Sequence, residues 1–238
     1  MGQSARFDFF KSEIRIPHSA FDMSRQFARK LAKEFIDRGD ALGWFEALYA
    51  EGDVSKIPWA DQKVNPNIEE WLGQGKIQGR GKKALEVGCG LGDNAERLAE
   101  MDFEVTAFDI SPTAVDWCQR RFPQSRVLYV VEDLFHARET WKEAFDFVLE
   151  SYTLQVLPPG LRRPAIQCIS GFVAPGGTLL VIARGRKPED PKGEMPWPLV
   201  REELRAFEDY GLQEANFEEY LDKEDPPVRR FRVEYRRI

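Results

Sequence analysis

A chain of 238 residues with 42% hydrophobic content carries enough apolar material for a full core in one domain of ordinary size. Acidic residues outnumber basic ones, 40 against 34 for a formal charge of -6, which disfavours a nucleic-acid partner, whose phosphates need a basic face. No basic start leads into an apolar leader run, and no segment approaches the ~20 apolar residues needed to span a bilayer, so the expectation is a cytoplasmic, membrane-free protein, monomer or homodimer, with a small-molecule partner.

Residues 1–80 read as an N-terminal helical cap and lid segment, and 81–238 as the core. In the first part, "FDMSRQFARKLAKEFIDRG" sets Phe27, Leu31 and Phe35 four residues apart on one helical face, with Gly39 as a stop. "ALGWFEALYAEG" predicts a second short helix. The loop "DVSKIPWADQKVNPN" then carries Trp59, and "IEEWLGQG" closes the segment with a further turn or two of helix. From Lys82 strands and helices alternate, the sign of a parallel sheet with crossover helices on both faces. The predicted strands are "KALEVGC", "EVTAFDI", "RVLYVV", "FDFVLES" and "GTLLVIAR". Between them, helices are expected at "GDNAERLAEM", "SPTAVDWCQRRF", "RETWKEA" and "PGLRRPAIQCISGFV". A helix from near Pro198 to Gly211 precedes "LQEANFEEYLD" and "VRRFRVEYRRI", joined by too short a turn for a crossover and therefore antiparallel. Alternation in that last segment predicts one packed face and one wet face bearing Arg230 and Arg232.

The chemistry-bearing signal is "ALEVGCGLGDNAERLA", where Gly88, Gly90 and Gly92 lie between a strand and a helix and so aim free backbone N–H groups at a ligand. The spacing is GxGxG after Glu86, not the GxGxxG of dinucleotide sites. Asp109 ends the next strand, where a carboxylate can accept both ribose hydroxyls, a feature that by itself suits NAD equally. Asp109 and Ser111 are also helix-cap candidates. Cys89 reads as a small buried residue rather than a nucleophile, because glycines flank it and no histidine adjoins it. The three cysteines, Cys89, Cys118 and Cys168, are dispersed, and with His18 and His136 the only histidines no metal site is expected.

The acidic-x-Gly-x-Gly-x-Gly pattern resembles the first motif of the Rossmann-like (class I) S-adenosylmethionine-dependent methyltransferases. "VVEDLF" and "VAPGGTLLVI" match later motifs of that superfamily in order and position over residues 84–184. The resemblance implies a seven-stranded, mostly parallel, doubly wound sheet with the last strand antiparallel. It implies S-adenosyl-L-methionine as cofactor, with S-adenosyl-L-homocysteine as product. The cofactor-binding residues it implies are Glu86, Gly88, Cys89, Gly90, Gly92 and Asp93 at the first motif. To these it adds Asp109, Ile110 and Ser111 at the second, and Glu132, Asp133 and Leu134 at the third, where Asp133 would meet the adenine amino group. Asp109→Ala is expected to weaken cofactor binding and Gly90→Val to abolish it.

"FDFVLESYTLQVLPPGLRRPAI", "GWFEALYAEGDVSKIPW" and "GRKPEDPKGEMPWPLV" more loosely resemble the thiopurine, thiol and halide methyltransferase group. By that resemblance Glu150, Ser151 and Tyr152 sit at the mouth of the fourth strand, Glu150 and Ser151 beside the cofactor, with Tyr152 and Glu150 as catalytic candidates. Trp44 and Trp59 cover the cofactor, and Arg184 and Trp197, with Tyr152, face the acceptor. Set against these readings, Tyr152 suits ordinary packing, Arg184 a solvated rim, and His136 the surface. The sequence departs from the group where Ser151 replaces an aromatic and Trp197 a tyrosine. The leading expectation is methyl transfer to a small thiol, halide or other soft nucleophile. The alternatives are O- or N-methyl transfer, a non-catalytic cofactor-binding protein, and an NAD-linked dehydrogenase, which the glycine spacing disfavours.

Overall fold

The computed structural model describes residues 18–238, with side chains from Met23 onward, so the first part of the expected cap and the His18 side chain lie outside the described residues. Helices α1 (His18–Asp37), α2 (Gly43–Ala50) and α3 (Pro66–Leu72) precede the first strand. The strands are β1 (Lys83–Val87), β2 (Glu104–Asp109), β3 (Leu128–Val131), β4 (Phe145–Ser151), β5 (Val173–Arg184), β6 (Leu212–Leu221) and β7 (Arg229–Arg237). Helices α4 (Asp93–Glu100), α5 (Pro112–Arg121), α6 (Pro159–Phe172) and α7 (Arg201–Arg205) lie between them. Among the described residues these strands form one seven-stranded sheet in the order β3-β2-β1-β4-β5-β7-β6. β7 runs antiparallel to both of its neighbours, while the pairs from β3 to β5 are parallel. No helix of the described residues is long and apolar enough to cross a membrane.

The strand side chains alternate between two cores, as a period of two requires. Leu85, Val87, Phe108, Val148, Leu179, Val181, Phe231 and Val233 point to the face covered by α6 and α7. Ala84, Val105, Ala107, Phe147, Leu149, Leu180 and Ile182 point to the face covered by α3, α4 and α5. Helix α5 starts where the sequence provides for it: Pro112 takes the first turn and the Ser111 hydroxyl accepts the Ala114 N–H at 3.0 Å.

The first eighty residues divide by what they pack on. On α1 the most buried positions are Ser24, Ala28 and Ala32, flanked by the half-buried Phe27, Leu31 and Phe35. This face meets Trp44, Leu48, Tyr49 and Ile57 in a third apolar cluster that also takes in Leu91, Ala114, Val156 and Met195. The cap thus sits over the carboxyl ends of the parallel strands. Helix α3 instead belongs to the sheet core, with Trp71 stacked on Phe147 at 5.6 Å between centroids.

Four local expectations need correction. "RETWKEA" gives only a single 3₁₀ turn, Glu139–Trp141, because Trp141 turns into the core against Phe108 and Glu143 adopts a left-handed φ of 52°. Helix α7 begins at Arg201, not near Pro198, since Leu199 is drawn onto the sheet, donating its N–H to the Arg184 carbonyl at 2.8 Å. Strand β5 begins at Val173, ahead of Gly177, through a register shift between Phe145 and Phe147 that lets Pro175 and Gly176 bulge into solvent. The expected wet face of β7 is covered: Arg230 and Arg232 are 2% and 3% exposed. Arg232 donates to the Asn67 carbonyl at 3.0 Å and pairs with Glu218, so the α3 segment packs on an arginine whose partner lies on β6.

Candidate functional site

A cavity of about 240 Å³ opens along the carboxyl ends of the strands, under the cap. Its floor is the turn after β1, where Gly88, Gly90 and Gly92 all adopt left-handed φ, at 64°, 53° and 84°. The turn needs glycine twice over. Left-handed backbone disfavours any Cβ, and a Cβ at Gly90 would lie 3.1 Å from the Tyr49 hydroxyl, in the space the cap leaves above the turn.

Acidic side chains gather at the β1–β2–β3 half. Glu86 is 2% exposed; its Oε1 accepts from Asn94 Nδ2 at 3.0 Å, while its Oε2 is buried without a hydrogen-bond partner. Burial, opposed by that hydrogen bond, pushes its carboxyl up to about 8. Asp109 is held by two backbone donors, Gly90 N–H at 3.0 Å on Oδ2 and Ser111 N–H at 2.9 Å on Oδ1. Burial pushes it up to about 6. A carboxylate has about four acceptor sites, so Asp109, which lines the cavity, retains capacity for a diol. Glu132, paired with Arg138, and Asp133, whose Oδ1 caps the Phe135 N–H at 2.9 Å, lie at the end of β3. A buried, unpartnered carboxylate oxygen beside a glycine floor fits the ammonium and amino-acid moiety of S-adenosylmethionine, and Asp109 fits its ribose.

The β4–β5–β7 half is basic. Tyr152 follows β4 with a left-handed φ of 68°, a costly backbone state for a non-glycine residue. Its hydroxyl accepts from Asn67 Nδ2 at 2.9 Å and its ring lies 4.9 Å from the Arg230 guanidinium. Burial raises its pKa. Arg184, Arg230 and Arg25 line this end together with Glu224 and Gln155. Burial, then Arg25 and Arg230, push Arg184 down to about 10.

The cavity brings together Trp59, Glu86, Gly88, Cys89, Gly90, Gly92, Asp93, Asp109, Ile110, Glu132, Asp133, Leu134, Ser151, Tyr152 and Arg184. Asp93 is engaged by Arg121 in a two-bond pair at 2.8 Å. Cys89 is buried, and a hydrogen bond with Cys118, together with burial, pushes its thiol up. Four expected site residues lie off the cavity. Glu150 is fully buried and its Oε1 caps the turn after β4, accepting from Thr153 and Leu154 N–H at 2.8 and 3.0 Å; it anchors the turn that presents Tyr152. Ser111 is spent on the start of α5 and on Glu46 of the cap, to which its hydroxyl donates at 2.5 Å. Trp44 is wholly buried against Phe45. Trp197 packs toward Arg162, leaving Met195 and Pro196 at the cavity. His136 is surface-exposed.

Sequence reasoning missed Tyr49, which holds Trp59 Nε1 at 2.8 Å, and also Asn94, Arg25, Glu224 and Arg230. A signal existed for Arg25, a charge on the Ala28 and Ala32 stripe of α1, and for Arg230, which shares a strand face with Arg232.

The raised carboxyls set a pH dependence. Folding raises Glu86 and Asp109 above the ordinary range near 4, so their contribution to stability is complete below that range and is lost as pH rises through about 6 and then about 8. The ligand-free Glu86→Gln variant is therefore expected to lose less of its melting temperature between pH 5.5 and 8.5 than the wild type does. Parallel curves in a thermal-melt series would contradict this.

A family described as a methyltransferase domain matches residues 84–177. A probable thiol methyltransferase of Arabidopsis thaliana is 28% identical over 165 residues, 67% of this chain and 69% of that protein. The 2-heptyl-1-hydroxyquinolin-4(1H)-one methyltransferase of Mycobacteroides abscessus is 26% identical over 170 residues, 68% of this chain and 73% of that one. Among solved structures, the N-methyltransferase NodS of Bradyrhizobium japonicum, in complex with S-adenosylhomocysteine, superposes with a TM-score of 0.60 at 20% identity, covering 76% of this chain and 91% of its own.

Proposed function

This chain belongs to the S-adenosylmethionine-dependent methyltransferases of class I fold, and we propose that it methylates a small molecule through a soft nucleophile, a thiol in the first instance. One observation carries the reading: the half of the cavity away from the cofactor motifs offers three arginines and no imidazole, and its two carboxyls, Asp61 and Glu224, both lie beside those cations. Among the described residues lining it there is no histidine. Burial raises the Tyr152 phenol, which makes it a donor and not a proton acceptor at neutral pH. The Glu224 carboxylate is bound to arginines. An acceptor that ionises by itself suits such a site, whereas an alcohol or unactivated amine needs a base within reach. The Arabidopsis relative is named for thiols, and the Mycobacteroides relative for a hydroxyquinolone.

In this reading Glu86, the glycine turn, Asp109 and the β3 end residues Glu132, Asp133 and Leu134 hold the cofactor, which supplies an electrophilic methyl group on a sulfonium. Tyr152 and Arg184 orient the acceptor and Trp59 with Tyr49 roofs the site, so that water is excluded while nucleophile and methyl group are aligned. The residues from α1 through the Trp59 loop act as the lid over a catalytic core, with Glu46 as its tether: it accepts from the Ser111 and Thr113 hydroxyls at 2.5 and 2.7 Å.

The test is an acceptor screen that follows S-adenosylhomocysteine release with thiols, iodide, phenols and carboxylates. Simple thiols are expected to turn over at neutral pH, with a rate that climbs toward the free thiol pKa near ~8.5 because the solution thiolate is the reacting form. Transfer to phenols or carboxylates without any thiol turnover would move the assignment to oxygen; cofactor binding with no turnover at all would make the chain a sensor.

A further inference from the structure

Strands β5 and β7 place Arg184 directly opposite Arg230. Like charges facing each other across a strand pair are unfavourable, and both side chains are largely buried, 17% and 3% exposed. Arg25 of α1 comes to the same end of the cavity. Two carboxylates from the β6–β7 turn pair with these guanidinium groups, and Asp61 of the cap lies near Arg25 and Glu224. Asp222 Oδ2 takes Arg230 Nε at 2.6 Å. Glu224 is shared: Oε1 with Arg230, and Oε2 with Arg25 at 3.4 Å and Arg184 at 3.7 Å. The Arg184 contact is longer than a hydrogen bond. Its guanidinium, the group best matched to a two-oxygen partner, is thus only loosely neutralised. Glu224 itself is 40% exposed on a turn and lines the cavity, so it can swing outward without disturbing the core.

We propose that Arg184, Arg230 and Arg25 form an oxyanion subsite for the acceptor, a carboxylate in the first instance, and that Glu224 is its resident counter-ion, displaced when the acceptor binds. Glu224 then sets specificity. An acceptor with a carboxylate replaces one anion by another and gains the two-oxygen contact with Arg184 that Glu224 does not make. A neutral acceptor leaves Glu224 in place and gains nothing from the arginines. The proposal rests on this cavity being the acceptor site of a methyltransferase, but not on which atom receives the methyl group.

The experiment is calorimetric titration of 3-mercaptopropionate, and of its neutral amide, into protein saturated with S-adenosylhomocysteine, where no transfer occurs. Glu224→Gln removes the internal competitor and is expected to tighten 3-mercaptopropionate by about five- to tenfold, while Arg184→Gln weakens it at least about tenfold, as loss of a buried charge pair does. The amide should respond to neither. S-adenosylhomocysteine affinity and melting temperature report that both variants are folded. Equal carboxylate affinity in folded wild type, Glu224→Gln and Arg184→Gln would overturn the subsite. If the titration behaves as expected but no thiol is methylated, the subsite stands and the thiol assignment falls; turnover of both thiols with one KM and no charge effect would do the reverse.

Discussion

Gly90→Val is expected to abolish detectable S-adenosylmethionine binding while leaving a folded sheet. Two effects add at this position. The backbone there is left-handed, with φ at 53°, which costs a side-chain-bearing residue ~1–2 kcal/mol and a β-branched one more. Any Cβ also lands 3.1 Å from the Tyr49 hydroxyl and 3.8 Å from the Trp59 ring, so the valine methyls are driven into the cavity or lift the cap from it. Gly90 lines the cavity itself, and occlusion at the glycine floor is a steric exclusion and not a weakened contact. Gly90→Ala separates the terms: it carries the backbone strain but only one carbon, so it should bind weakly and not fail altogether. Circular dichroism establishes the fold and calorimetry the binding. Retained micromolar affinity in a folded Gly90→Val protein would remove the glycine turn from the cofactor site.

Asp109→Ala is the second large effect, with an expected loss in cofactor affinity of about a hundredfold or more. Each charge-assisted hydrogen bond to a ribose hydroxyl is worth ~1.5–3 kcal/mol, and with the ribose seated on Asp109 as proposed the substitution removes both. It also releases the Gly90 and Ser111 N–H groups, which hang on this carboxylate at 3.0 and 2.9 Å, so the glycine turn loses its tie to β2. Asp109→Asn keeps one acceptor oxygen and should fall between. The pH dependence carries an independent sign. Because burial pushes Asp109 up to about 6, acidification below that value protonates the acceptor, and wild-type affinity should drop there. The alanine variant has nothing to titrate in that window. An unchanged affinity, or the same acid limb in the variant, would place the ribose elsewhere.

The sheet was legible because its evidence is local and periodic. Alternating apolar runs define the strands, and a glycine turn followed by an aspartate fixes the order of β1 and β2 and the cavity at their ends. The burial of Cys89 was legible too, from the glycines that flank it. What the chain order hides is which side chains meet after the strands are paired. Arg230 looks like one arginine of a wet strand until β7 is inserted beside β5, where it faces Arg184 and lies beneath Tyr152. Glu150 has the position of a catalytic carboxylate at the mouth of β4, yet its Oε1 takes two backbone N–H groups of the following turn while Oε2 is buried without a partner, an arrangement that depends on the turn geometry and not on residue type. Trp44 and Trp59 look interchangeable along the chain. Only the packing sends the first into the cap core and the second to the cavity.

The position of β7 also governs how the protein can be made. It lies between β5 and β6, yet follows both in the chain, and carries Phe231, Val233 and Tyr235 as part of the larger core. Synthesis delivers chain from the N-terminus at ~5–20 residues per second. Until β7 emerges, β5 presents an open edge and β6 has no neighbour. A nascent chain therefore holds every cofactor motif before it holds Glu224 or Arg230. The half-sheet that carries the proposed methyl-donor site is synthesised first, and the charges of the proposed acceptor subsite are completed by the strand that closes the β5 edge.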